Sequence, residues 1–151
     1  IRYNNKFIAI ELNNHFFFGN GDHRFKKEAV PVVGRIVDVL KKYPNFPIIV
    51  EGHTSIGGLD DSDDFSSWEL SAMRAAGLVH ILTDFSISPE RITASAFSSF
   101  KPAYDNENTN GKVKNRRTTI LIKADPQNTQ FLRLLRKMPN IDYGKIYDFT
   151  E

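Results

Sequence analysis

Apolar and polar positions along the chain follow two periods, which predict alternating strands and helices. Residues 7–11, 48–52, 91–97 and 118–123 are β-branched or alternating runs between Gly, Pro or polar turns, which is typical of strands. The run HFFFG (15–19), before a Gly-Asn-Gly-Asp turn, is also predicted to be β-rich. Helical spacing extends from Phe25 to Tyr43 and over 66–85, where Ser66 and Glu69 form a predicted capping box.

The order β-α-β-α-β-β predicts an α/β (α+β) two-layer sandwich, with helices packed on one mixed sheet. A chain of 151 residues is expected to form a single domain, with a core over about 7–124 and a helical extension over 125–151. The pattern FLRLLRKM (131–138) in this extension predicts a short helix that either packs back on the sheet or forms a docking surface. The stretch 105–117 is predicted to be a polar loop.

Composition narrows the classes of protein only slightly. The chain is 40% apolar with a net charge of +2, which suits a globular protein and falls short of the basic character of most nucleic-acid binders. The absence of cysteine excludes disulfide scaffolds and thiolate metal sites. No apolar window approaches the ~18–20 residues of a membrane span, so any tether is expected upstream of residue 1.

Arg74 is the most informative charged residue, because on a helical wheel it falls within the apolar stripe of the second helix. A guanidinium keeps its proton, so beneath an apolar face it needs an anionic partner. Three interpretations stay open: Arg74 extends to the surface, it pairs with a structural acid such as Glu51, or it binds a ligand carboxylate.

Other patterns that could carry chemistry are incomplete. The acidic loop 60–64 lacks the Gly and Glu of a calcium-binding loop, since Phe65 and Ser71 occupy those positions. His53 and Thr54 are adjacent on a predicted strand and point to opposite faces, which disfavours a hydrolytic site. Gly19 and Gly21 are better explained by a turn than by a phosphate loop. Neither catalysis nor a metal or cofactor is therefore expected.

A basic cluster near the last strand is the remaining candidate, formed by Lys112, Lys114, Arg116 and Arg117. Aromatic residues that could stack on bases do not interleave with it, so nucleic acid is not an expected partner. A basic rim beside an anionic ligand, or a solvated loop, explains the cluster better.

Four segments carry a family resemblance when taken together in this order: VEGHTS (50–55), WELSAMRAA (68–76), SPERITASAF (88–97) and NRRTTILI (115–122). Over about residues 7–124 they resemble the OmpA-like domain, in particular the form found in flagellar stator B subunits. The resemblance implies a β-α-β-α-β-β core that binds the peptide stem of peptidoglycan at its diaminopimelate residue, without catalysis.

The resemblance also implies a ligand site. Its residues are Thr54, Ser55, Ser67, Leu70, Arg74, Asn115, Arg116 and Arg117, with Arg74 matching the arginine that meets the diaminopimelate carboxylate. Ser55 stands where the family has an aspartate that meets the ammonium, and Ser67 stands where it has an asparagine. A charge-assisted bond contributes about 1.5–3 kcal/mol, so affinity is expected to fall roughly tenfold to a hundredfold unless the 60–64 loop supplies a carboxylate.

Two functions are expected from this resemblance. The leading one is a peptidoglycan anchor for an envelope protein, such as an outer-membrane lipoprotein, a flagellar stator or a secretion machine. The alternative is a structural or interaction subunit of an envelope assembly, such as a secretion system, that has weakened or lost peptidoglycan binding. Both imply a periplasmic location, tethered to the outer or inner membrane of a Gram-negative cell.

Overall fold

The computed structural model describes residues 2–3, 8–19, 21–56, 66–123, 130, 133–134 and 137. Within them, the strands are β1 (Arg2–Tyr3), β2 (Ile8–Asn13), β3 (Ile48–His53), β4 (Ile92–Ala96) and β5 (Arg117–Ile122). The helices are α1 (Asn14–Phe17), α2 (Val30–Lys41), α3 (Ser67–Asp84) and α4 (Thr109–Asn115). Short 3₁₀ turns precede α2 and β4.

The strands form one mixed sheet in the order β1-β2-β5-β3-β4. Strands β3 and β4 are parallel, and the other neighbours are antiparallel. A parallel pair needs a long crossover connection, which α3 provides. The predicted sandwich of helices on one mixed sheet is therefore confirmed.

One face of the sheet is apolar and supports the helices. Because side chains alternate along a strand, every second residue points into this core. The sheet contributes Ile8, Ile10, Leu12, Ile48, Val50, Ile120 and Ile122, and the helices contribute Val33, Ile36, Val37, Leu40, Leu78 and Leu82. The intervening strand positions carry charged residues on the opposite face, among them Glu11 and Glu51.

Two local features fix the start of α3 against β3. The predicted capping box is present: the Ser66 backbone N–H donates to Glu69 at 2.9 Å, and the Glu69 backbone N–H donates to the Ser66 hydroxyl at 3.4 Å. A Cβ at Gly52 would lie 1.9 Å from the backbone oxygen of Ser71. Only glycine at position 52 therefore allows the helix to approach the strand this closely.

The structure corrects three predictions of local structure. The helix predicted over 25–43 is shorter, since α2 begins at Val30 after a 3₁₀ turn and ends at Lys41. Residues 14–17 form α1, with the Asn13 side chain accepting a hydrogen bond from the His15 backbone at 2.9 Å, so the β prediction was wrong for 15–17. Phe18, just beyond α1, forms an isolated antiparallel bridge with Phe25. The predicted polar loop 105–117 contains α4, which begins after the N-cap Asn108.

The predicted C-terminal helix falls largely outside the described residues. Leu134 packs against the core, which agrees with packing back on the domain. In the part of the chain that the structure describes, no helix combines the length and apolar character needed to cross a membrane.

Candidate functional site

Arg74 lies on the buried side of α3, between Leu70 and Leu78. Its side chain is 1% exposed, and its Nε donates a hydrogen bond to the backbone carbonyl of Asp22 at 2.8 Å. Its guanidinium carbon lies 5.4 Å from the centre of the Phe18 ring. The side chain therefore does not extend to the surface, and its positive charge is held inside the domain, where a carboxylate could pair with it in two parallel bonds.

The loop that meets Arg74 is fixed by its own aspartate. The Asp22 carboxylate pairs with the Arg24 guanidinium at 2.9 Å and accepts the backbone N–H groups of His23 at 2.7 Å and Arg24 at 3.0 Å. The side-chain bond from Arg24, more than any other contact, lowers the pKa of Asp22 to about 2. Gly21 adopts a φ of 61°, which favours glycine. The glycines thus build a turn that presents the Asp22 carbonyl to Arg74.

Ser55 and Arg116 meet directly just beyond the paired strands β3 and β5. Arg116 Nη1 donates to Ser55 Oγ at 3.2 Å. The neighbouring Thr54 is also buried, and its Oγ1 has no hydrogen-bond partner among the residues that the structure describes. A buried hydroxyl without a partner is unfavourable, so this position would gain from a ligand that supplies one.

Hydrogen bonds connect this end of β3 to α3 and to the loop after β4. The Thr54 backbone N–H donates to the Ser98 carbonyl at 2.8 Å, and the Ser98 backbone N–H donates to Ser71 Oγ at 3.2 Å. The Ser71 hydroxyl in turn donates to the Trp68 carbonyl at 2.9 Å. Three segments that are distant in sequence are therefore held together at one edge of the sheet.

Charged groups lie on the opposite face of the sheet, immediately behind this edge. His53 Nε2 lies 3.3 Å from Glu51, and Lys101 lies 3.7 Å from the same carboxylate. Burial lowers the pKa of His53, more than the hydrogen bond to Glu51 raises it. Burial acts to raise the pKa of Glu51, but the His53 hydrogen bond and the positive charge of Lys101 leave it lowered. Glu51 is thus engaged here rather than with Arg74.

The remaining predicted site residues differ in their burial and in the parts of the domain that they contact. Asn115 is fully buried, and its amide binds the loop 103–106. Arg117 is buried on the far face, 3.5 Å from Glu11, so the predicted basic cluster does not form one surface. Leu70 is fully buried and Ser67 is half-buried at the start of α3.

The sequence reasoning missed three contributors to this edge: the Asp22 carbonyl, Ser71 and Ser98. A backbone carbonyl has no side-chain signature, so its role could not be read from the sequence. Ser98 has a φ of 50°, where glycine is the expected residue, and the pattern therefore concealed a turn. Among the described residues no group of His, Asp or Glu side chains could hold a metal ion. The acidic loop 60–64 lies outside them.

The fold and this edge define an α/β sandwich domain with a buried arginine on α3 and with hydroxyl groups gathered just beyond β3. The chain belongs to the OmpA family, whose model matches residues 17–116. It is 31% identical to Motility protein B of Bacillus subtilis over 116 residues, which are 76% of this chain and 44% of that protein. The chain thus spans about half the length of the curated relatives it matches.

Solved structures agree with the fold. The periplasmic domain of Helicobacter pylori MotB superposes with a TM-score of 0.72 at 21% identity, covering 89% of this chain and 87% of that one. The cell wall anchor of the type VI secretion system from Pseudomonas aeruginosa also gives a TM-score of 0.72. Its identity is 25%, and the match covers 79% of this chain and 82% of the anchor.

Proposed function

We propose that this domain binds the peptide stem of peptidoglycan without altering it and anchors an envelope protein to the cell wall. The buried Arg74 carries the proposal, because a guanidinium inside the domain at a sheet edge suits a ligand carboxylate. Membership of the OmpA family and the likeness to a Pseudomonas aeruginosa cell wall anchor support the same role.

The site would bind its ligand mainly through donor groups. Arg74 pairs with the carboxylate of a diaminopimelate residue, and Arg116 and Ser55 line the position where the family carries an acid. Ser55 cannot make a charge-assisted bond to an ammonium, which reduces affinity by an expected tenfold to hundredfold. The partner is then peptidoglycan, and the location is the periplasmic side of the envelope, with a membrane tether in the parent protein.

One observation favours a second function. Arg116 already donates to Ser55 at 3.2 Å, so the position of the family acid is engaged within the protein. The alternative is accordingly a structural subunit of an envelope assembly, such as a secretion system, that keeps the fold with weak or absent peptidoglycan binding.

Co-sedimentation with isolated peptidoglycan sacculi at physiological salt tests these functions. Arg74→Met keeps most of the buried volume and removes the charge, and we expect it to abolish pelleting of the domain. Arg91→Met is the matched control. Arg91 also donates to backbone carbonyls, those of Leu40, Tyr43 and Phe46, but it lies at the opposite end of β4.

Circular dichroism of both variants establishes that they are folded. Loss of pelleting in Arg74→Met alone supports the anchor. Wild-type protein that stays in the supernatant would refute it and favour the structural subunit. Equal binding by Arg74→Met and wild type would remove Arg74 from the site.

A further inference from the structure

Exposed aromatic side chains gather at the same edge as the proposed pocket. Among the described residues, the large apolar side chains with substantial exposure are Phe16 (40%), Ile56 (53%), Trp68 (52%) and Phe100 (75%). Ile56 directly follows Ser55, Trp68 lies in the first turn of α3, and Phe100 follows β4. All but Phe16 therefore lie on the three segments that meet beside the pocket.

Trp68 and Phe100 form a stacked pair rather than two isolated side chains. Their ring centres are 5.7 Å apart and their planes differ by 25°. Ser71 Oγ joins their two segments, because it donates to the Trp68 carbonyl and accepts from the Ser98 backbone. The Phe100 backbone N–H closes a turn on Phe97 at 3.0 Å. The segments that carry the pair are thus held in place before any ligand arrives, which reduces the entropic cost of binding.

The surroundings of the pair are polar. The Lys101 ammonium lies 4.3 Å from the centre of the Phe97 ring, beside the loop that carries Phe100. Ser67 and Glu69 flank Trp68 on α3, and both Glu69 and Lys101 are exposed. A narrow aromatic surface with hydrogen-bonding groups at its rim suits a ligand that is apolar on one face and polar at its edges. A pyranose ring has this character.

We propose that the Trp68–Phe100 pair stacks against a sugar ring of the peptidoglycan glycan strand. This inference rests on the proposed function and extends it from the peptide stem to the polysaccharide. Stem and glycan are covalently joined, so a pocket for one places the other at its border. Binding both raises the effective concentration of each at its own subsite.

The size of the aromatic surface agrees with a sugar ring better than with a second protein. Aromatic side chains carry about 150–250 Å² each, so the exposed parts of this pair offer on the order of 250 Å². A stable protein interface buries about 800 Å² on each partner. The pair alone is therefore too small for a stable dimer and large enough for one ring.

The chain contains a single tryptophan beside five tyrosines, so emission excited selectively from tryptophan reports on this pair alone. The probe is soluble glycan released from sacculi and freed of its peptides by an amidase. We expect a saturable blue shift of the Trp68 emission on titration. Phe100→Ala should weaken glycan binding about threefold to tenfold, which is the range expected for one aromatic contact. Phe16→Ala removes an exposed phenylalanine that is not part of the pair and should bind like wild type.

Two further measurements separate this inference from the proposed function. Free stem peptide, added in a parallel calorimetric titration, should bind in an Arg74-dependent manner whether or not the glycan binds. The sugar subsite would be overturned if the glycan gave no response, or if Phe100→Ala bound it as tightly as wild type. Arg74-dependent pelleting with sacculi would in that case still support the proposed anchor function. A dimer in sedimentation equilibrium that Phe100→Ala dissociates, without glycan binding, would assign the pair to a second copy and also overturn the sugar subsite.

Discussion

Asn115 offers the sharpest test of how the site is supported, because its whole amide is used inside the protein. Its Oδ1 accepts the backbone N–H groups of Ala103 at 3.0 Å and Tyr104 at 2.9 Å. Its Nδ2 donates to the Tyr104 carbonyl at 2.8 Å and to Asn106 Oδ1 at 2.7 Å. Asn115→Ala would remove all of these bonds and release the loop 103–106 next to Arg116.

The expected loss of stability follows from these bonds. A hydrogen bond contributes about 0.5–1.5 kcal/mol net, and a buried group left without a partner costs about 1–3 kcal/mol. The loop is partly exposed, so water replaces some of the lost partners, and we expect a loss of about 3 kcal/mol in the free energy of unfolding. In a domain of this length that corresponds to a melting temperature roughly 6–12 °C lower.

Urea and thermal unfolding of Asn115→Ala, followed by circular dichroism, measure this loss. Asn108→Ala is the matched control, because it removes the same side chain at an exposed N-cap in the same region. It should cost about 1 kcal/mol, as expected for a helix cap. If Asn115→Ala cost no more than Asn108→Ala, the support role of Asn115 would be refuted.

Two further predictions concern positions around β3. Gly52→Ala should cost about 3 kcal/mol or more in thermal unfolding, because its Cβ would lie 1.9 Å from the Ser71 carbonyl oxygen. Gly77→Ala is the control and should be neutral or stabilising, because its Cβ would meet its nearest atom at 3.5 Å. A loss in Gly52→Ala no larger than in Gly77→Ala would contradict this prediction. Burial lowers the pKa of His53, so this imidazole takes up a proton near pH 6.5 in the unfolded chain but stays neutral at that pH in the folded chain. Stability should therefore fall from pH 7 to 5 by up to about 1.4 kcal/mol per pH unit, in wild type and His80→Gln but not in His53→Gln. If the stability measured by urea unfolding changed equally with pH in all three proteins, this prediction would be contradicted.

Long periodic elements could be predicted from the sequence because their signals are local. The capping residues Ser66 and Glu69 and the apolar stripe of α3 locate that helix within one residue at each end. The same stripe identified Arg74 as a charge on a buried face, and the structure places it there. A helical wheel cannot show which group contacts the Arg74 guanidinium, because the Asp22 carbonyl that accepts its hydrogen bond lies 52 positions away in the sequence.

Short helices were missed because their signals compete with stronger ones. Three consecutive phenylalanines are typical of a strand, but the Asn13 cap starts α1 before them. Phe17, at the end of α1, and Phe18, just beyond it, are both buried. The polar run 105–117 predicted a loop where α4 lies, and a Cβ at Gly111 within that helix would lie 1.6 Å from the Asp105 carbonyl oxygen. Glycine is required by close packing at that position, and its low helix propensity is overridden.

Ser55 alters which ligand groups the proposed site can bind, but it leaves the site in place. Its Oγ accepts a hydrogen bond from Arg116, so its own O–H is left to donate. Arg74, Arg116 and Ser55 are then all donors in the arrangement we propose for the ligand, and such a set favours a carboxylate and disfavours an ammonium. An acid at position 55 would instead pair with the ammonium of a zwitterionic group, while Arg74 paired with its carboxylate. If the domain binds the stem as we propose, recognition rests on the stem carboxylate, so the Arg74 substitution should cost more binding than any change at Ser55.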